Sequence, residues 1–236
     1  MSLDIDLYED KEIESLKEQI RFLELEISMT ASEKAEVEKQ ILEYERLYTL
    51  RVGDLVEKLL ERRKERLRNE AKKDTTKAEE FKQAEKDYDD FKTSYEESKK
   101  IEKVTLNEDE QIEIKSKFKK ACKLCHPDKV ADEYKEDAHK IFVQLRHAYD
   151  RNDLKKVSEI LEQLEKGIFK MGSESITGKE KLQLLHNNLK RRLEEIRNEL
   201  RELKKSEAYK IISSLKDYDS HFLELRNQLT TELNKS

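Results

Sequence analysis

Turn-forming residues are almost missing from this chain: its 236 residues include four glycines, one proline and no tryptophan. Sandwiches, barrels and doubly wound sheets need many Gly- and Pro-marked turns, so this scarcity excludes them. Long apolar runs are missing too, since none approaches the ~18 residues that a membrane span requires. The first ten residues are acidic and carry no basic-then-apolar signal pattern. A cytoplasmic location is therefore expected, with reduced thiols at Cys122 and Cys125. The apolar share of 35% is small for one thick globular core but sufficient for narrow helical seams.

Charge is abundant. Lys and Arg number 49 and Asp and Glu 54, together 44% of the chain, against a usual share of about a quarter. Long helices with mostly solvated faces fit this composition, and the expected fold is all-α and elongated. The net charge of −5 argues against bulk nucleic-acid binding. The basic clusters Arg62-Arg63-Lys64 and Lys190-Arg191-Arg192 are interleaved with glutamates and read as solvated helix faces.

Apolar spacing divides the chain. Ile13, Leu16, Ile20, Leu23 and Ile27, then Val37, Ile41, Tyr44, Tyr48 and Leu55, recur in steps of three and four. This is the a/d pattern of a coiled coil, interrupted by Lys34 at a and by Thr30 and Arg51 at d, and it defines an N-terminal region of residues 1–75. Residues 61–73 are highly charged, fitting either a solvated helix or a frayed joint near Asp74. An aromatic stripe follows in residues 76–106: Ala78, Phe81, Tyr88, Phe91 and Tyr95, read as core packing. Three of the four glycines fall in a joint at residues 167–179. Beyond it, residues 180–236 carry two further helical stripes, Leu182 to Leu203 and Leu215 to Leu229. The terminal seams could close within one chain as an antiparallel hairpin or between two copies as a homodimer.

The region 107–166 has a different character. Asn107 and Glu110 form a candidate capping box. The helix after it gathers Ile114, Phe118, Ala121, Cys122 and Cys125 on one side and Lys115, Lys117, Lys119, Lys120 and Lys123 on the other. From Ile112 to Cys125 five lysines meet one acid, a local +4 inside an acidic protein. The helix must stop at His126-Pro127, because proline disfavours helical geometry in the residue before it. A second helix presents Ala138, Phe142, Leu145 and Tyr149, and a third presents Leu154, Val157, Ile160, Leu161 and Leu164.

A lysine-rich helix ending in His126-Pro127-Asp128-Lys129, then a loop, then Ala138-x-x-x-Phe142-x-x-Leu145-x-x-Ala148-Tyr149, resembles a J-domain, the DnaJ-like co-chaperone module. The similarity covers about 60 residues, a quarter of the chain. It implies an antiparallel helical hairpin with the His-Pro-Asp motif in its loop. It also implies stimulation of ATP hydrolysis by a DnaK-type chaperone, with no catalysis by this chain itself. In that reading His126, Pro127 and Asp128 engage the chaperone, and Lys115, Lys119, Lys120, Lys123 and Lys129 form the docking face. The hairpin core would be Ile114, Phe118, Ala121, Cys122, Cys125, Ala138, Phe142, Leu145 and Tyr149. The Tyr-x-x-Leu-Gly signature of the family's first helix does not occur before Asn107, and the Phe91–Val104 segment is expected to replace it. The Gly/Phe-rich linker and cysteine-repeat module of full-length DnaJ are also absent, so the coiled coils are expected to supply targeting, toward a partner the sequence does not name.

Other chemistries match less well. Cys122-Lys123-Leu124-Cys125-His126 has the spacing of c-type haem attachment, but that reaction belongs to export compartments. Zinc needs four ligands, of which the cysteines supply two, with His126 and His139 the remaining candidates. Free cysteines acting as small buried hydrophobes explain the pair better, so no metal and no cofactor is expected. Phosphate-cradling loops and nucleophile elbows are missing as well. The competing function is a structural coiled-coil scaffold whose J-like hairpin touches no chaperone.

Overall fold

The computed structural model describes residues 2–100, 106–170 and 178–235, and the side chains within 11–97, 106–170 and 178–235. Among these residues there are eight α-helices and no β-strand. The helices are α1 (Ser2–Ala71), α2 (Ala78–Lys100), α3 (Glu108–Cys125), α4 (Lys135–Asp150), α5 (Leu154–Glu165), α6 (Lys179–Lys205), α7 (Glu207–Ser214) and α8 (Tyr218–Lys235). None is long and apolar enough to cross a membrane.

Helix α1 runs without a break through residues 61–73, and Leu67 is buried there, so this stretch is helix rather than joint. Nothing in its sequence stops it earlier: proline is absent and Gly53 is its one glycine. The chain turns where Asp74 accepts the backbone N–H of Thr76 at 2.9 Å and opens a short 3₁₀ turn at Thr75–Lys77. The chain forms two compact units, Met1–Lys39 with Lys103–Ser206 and Gln40–Glu102 with Glu207–Ser236. The boundary between them falls inside α1, where the heptad stripe itself shows no discontinuity.

In the first unit the N-terminal seam meets α6. Leu16, Ile20, Leu23 and Ile27 are buried against Leu182, Leu189, Leu193 and Ile196. Glu12 pairs with Lys179, Glu26 with Arg197 and Glu33 with Lys204, so residue numbers rise together along both helices. The two helices therefore run parallel within one chain, whereas the sequence left an antiparallel hairpin or a second copy as the options. Lys34, the polar a position, reaches Glu199 of α6 and Glu38 of its own helix, so the interruption is satisfied by charge rather than packing.

Helices α3, α4 and α5 build the second core of this unit, containing Ile114, Phe118, Ala121, Cys122, Cys125, Leu145 and Tyr149 together with Val157, Ile160, Leu161 and Leu164 of α5. The α3 N-terminus carries the expected capping box: Glu110 N–H donates to Asn107 Oδ1 and Asn107 N–H to Glu110 Oε2, both at 2.9 Å. Between α4 and α5 the chain reverses through Asn152, whose φ of +59° lies in the left-handed region that asparagine tolerates. Gly167, with φ of +76°, follows α5 and makes a glycine-type helix exit. The rest of the glycine joint, residues 171–177, lies outside the described residues.

In the second unit the aromatic stripe of α2 packs on α1. Tyr88 and Tyr95 are buried, and a Cβ on Gly53 would stand 2.7 Å from Tyr95 Cε2. That close approach gives Gly53 its purpose, since any side chain there meets the ring. Arg63 pairs with Asp87 and Lys64 sits 3.5 Å from the Tyr88 ring centroid, contacts that lie past Gly53 on α1 but before Tyr95 on α2, so α2 runs antiparallel to α1. Helix α8 adds Phe222 and Tyr218 against Tyr44, and Arg226 forms a forked pair with Asp54 at 2.8 and 2.9 Å.

Candidate functional site

The sole proline places the site. Helix α3 ends at Cys125, and His126 before Pro127 takes an extended backbone, φ −65° and ψ 123°, as steric conflict with the proline ring requires. The chain then makes a tight turn in which Lys129 N–H donates to His126 C=O at 2.9 Å. Phe118 of α3 stacks on Tyr149 of α4 at 4.0 Å, and His126 meets Phe142 edge-on at 5.2 Å, so α3 and α4 are antiparallel with the motif at their connection.

Each candidate core residue has a definite place. Ile114, Phe118, Ala121, Cys122, Cys125, Ala138, Leu145 and Tyr149 are buried, and Phe142 is half-buried against the same cluster. Burial pushes the Cys122 thiol up to about 12 and raises Cys125 as well, which keeps both protonated and unreactive at neutral pH. Among the described residues, no group of three or more His, Cys, Asp and Glu is placed to hold a metal ion.

The lysines divide. Lys119, Lys120 and Lys123 are exposed and make no ion pair among the described residues. Lys115 instead donates to Glu36 of α1 at 2.9 Å, and Lys117 pairs with Glu113 and donates to Ser158 of α5. Lys129 is buried, donating to the Lys123 carbonyl at 2.7 Å. Its burial lowers the ammonium pKa, opposed by the negative charge of Glu24 on α1. The free basic surface thus has three members where the sequence offered five.

His126 is buried, 5% exposed. Asp128 N–H donates to its Nδ1 at 3.3 Å, which assigns the neutral ring with its proton on Nε2. The Asp128 carboxylate stands 3.7 Å from that same nitrogen and would favour a charged ring. Desolvation outweighs it, aided by the positive charges of Arg192 and Lys129, and the imidazole pKa falls to about 4. Arg192, from α6, donates through Nε to Asp128 Oδ2 at 3.0 Å. The sequence reading put Arg192 on a solvated face, and no local signal could have joined residues 64 positions apart.

Helix α1 is the other neighbour that sequence spacing did not foresee. Ala35 enters the α3–α5 core, Ser32 lies beside Cys122, and Glu36 accepts the Tyr149 hydroxyl. Lys39 covers the Tyr149 ring at 3.7 Å and donates to its carbonyl at 3.0 Å, while Arg146 bridges Glu38 and Asp150. Part of the segment expected to take the place of a J-domain's first helix falls in the second unit. Phe91 and Tyr95 belong to the second unit and stack on each other at 5.9 Å. Residues 101–104 of that segment lie outside the described residues. Comparison with family models, with curated proteins and with solved structures finds no match to this chain.

Proposed function

We propose that this chain is a J-domain co-chaperone that docks on a DnaK-type ATPase and stimulates its ATP hydrolysis. The observation that carries the reading is the lone proline of the chain, standing in His126-Pro127-Asp128 at the turn between two antiparallel helices, directly after a basic helix. Lys119, Lys120 and Lys123 steer the module to an acidic face of the chaperone, an attraction that weakens as salt rises. Engagement of the motif then biases the partner's conformational equilibrium toward hydrolysis. The remaining helices localise that activity, through a target protein or through self-association in the cytoplasm.

Single-turnover ATP hydrolysis by a DnaK-type chaperone tests this directly. Wild-type protein should accelerate it, His126→Gln should abolish the acceleration, and Lys119→Glu with Lys123→Glu should weaken it most at low salt. Equal rates with wild type and His126→Gln would reject the reading. A second reading, a helical scaffold without chaperone contact, draws on two specific observations: His126 is buried, and Asp128 already holds a partner, Arg192.

A further inference from the structure

We propose that α6, packed on the N-terminal part of α1, is an intramolecular cap over the His126-Pro127-Asp128 turn, holding the motif out of reach until α6 moves away. The inference rests on the co-chaperone reading and concerns how that same site is regulated.

One contact reaches the motif itself, and others surround the chain just beyond it. Arg192 of α6 takes the Asp128 carboxylate at 3.0 Å. Glu24 of α1, itself buried, favours the charged form of Lys129 just beyond the motif. The segment after α5 holds the chain that follows the motif, where Lys170 C=O accepts Ala131 N–H at 2.8 Å and Phe169 lies 5.9 Å from the Tyr134 ring. Val130 and Ala131 are buried beneath these contacts. A motif that acts by touching another protein thus has its carboxylate occupied by α6, while its imidazole is buried against Phe142 of the hairpin itself.

The cap is latched rather than locked. The Arg192 and Asp128 side chains are 40% and 31% exposed, so water screens their attraction and the pair by itself holds little. What fixes Arg192 over the turn is its place on α6, between Leu189, Leu193 and Ile196, which are buried against α1. Release thus needs a competitor for Arg192 and a shift of the seam. An acidic partner surface supplies the first, because it attracts the uncovered Lys119, Lys120 and Lys123 and then competes with Asp128 for the guanidinium. The covered and open arrangements become two states whose populations the partner shifts.

The test uses the full chain and a DnaK-type chaperone in single-turnover ATPase at low salt. Arg192→Glu removes the attraction and sets a second carboxylate beside Asp128. Its half-maximal stimulating concentration should fall about fivefold below that of wild type, the factor that corresponds to ~1 kcal/mol. Arg192→Lys, which keeps the charge, should lie between them. Arg191→Glu, whose parent side chain is 74% exposed and faces Glu195, controls for net charge and should match wild type. If wild type stimulates and Arg192→Glu needs as much protein or more, the cap is refuted. If no variant stimulates, wild type included, the co-chaperone reading fails, and amide exchange at Asp128, Lys129 and Val130 then judges the cap alone. Faster exchange in Arg192→Glu supports a covering contact, and unchanged exchange overturns it.

Discussion

Acidification from pH 7 to pH 5 should cost wild-type protein about 2 kcal/mol of stability that the His126→Gln variant does not lose. The magnitude follows from the imidazole's surroundings. Burial holds its folded pKa at about 4, while an unfolded chain titrates near 6.5. Above pH 6.5 the ring is neutral in both states and contributes nothing. Between pH 6.5 and pH 4 only the unfolded chain takes the proton, so stability falls as pH falls. Below pH 4 both states are charged and the loss levels off at ~3 kcal/mol. The facing groups are Asp128, which favours the proton, and Arg192 and Lys129, which oppose it; Phe142 contributes no charge. Carboxylates held below their ordinary range by their partners, Glu36 and Glu199 among them, are common to both proteins and cancel in the comparison. Urea denaturation of both proteins at pH 7 and pH 5 measures the difference, and the histidine ring resonances give the pKa independently. Equal acid sensitivity of the two proteins, or a ring that titrates near 6.5, would refute the reasoning.

Two packing predictions accompany it. Ile27→Ala empties a fully buried seam position between α1 and α6 and should destabilise the first unit by about 3 kcal/mol in urea denaturation, whereas Phe22→Ala, at a position 60% exposed, should change little. Gly53→Ala gains helix propensity, but its Cβ meets the Tyr95 ring at 2.7 Å. The overpacking should win by about 1 kcal/mol, and Tyr95→Leu combined with it should recover stability by comparison with Tyr95→Leu alone.

Much of the local structure was legible. The Asn107 cap depends on residues three apart, and the stop after Cys125 depends on one proline ring, so both could be read from neighbours in the chain. The two buried cysteines were legible for the same reason, since they follow the helical spacing of Ile114 and Phe118. The first unit's helix pairing was not. A heptad stripe states that a face is apolar, and it is equally satisfied by a parallel helix, an antiparallel one or a second copy. In the same way, the stripe of α1 shows no change where its companions change, between Ile27 with α6 and Tyr44 with α8.

Helical class, the capped and proline-terminated basic helix, and the position of the His-Pro-Asp turn were thus determined by the sequence alone, because each rests on bonds and steric conflicts a few residues long. Tertiary structure decided which lysines stay free and whether the motif is open. Glu36 claims Lys115, the turn buries Lys129, and Arg192 reaches Asp128 across 64 residues of chain. A side chain's charge is written in the sequence, but its partner and its distance from water are set only when distant helices pack.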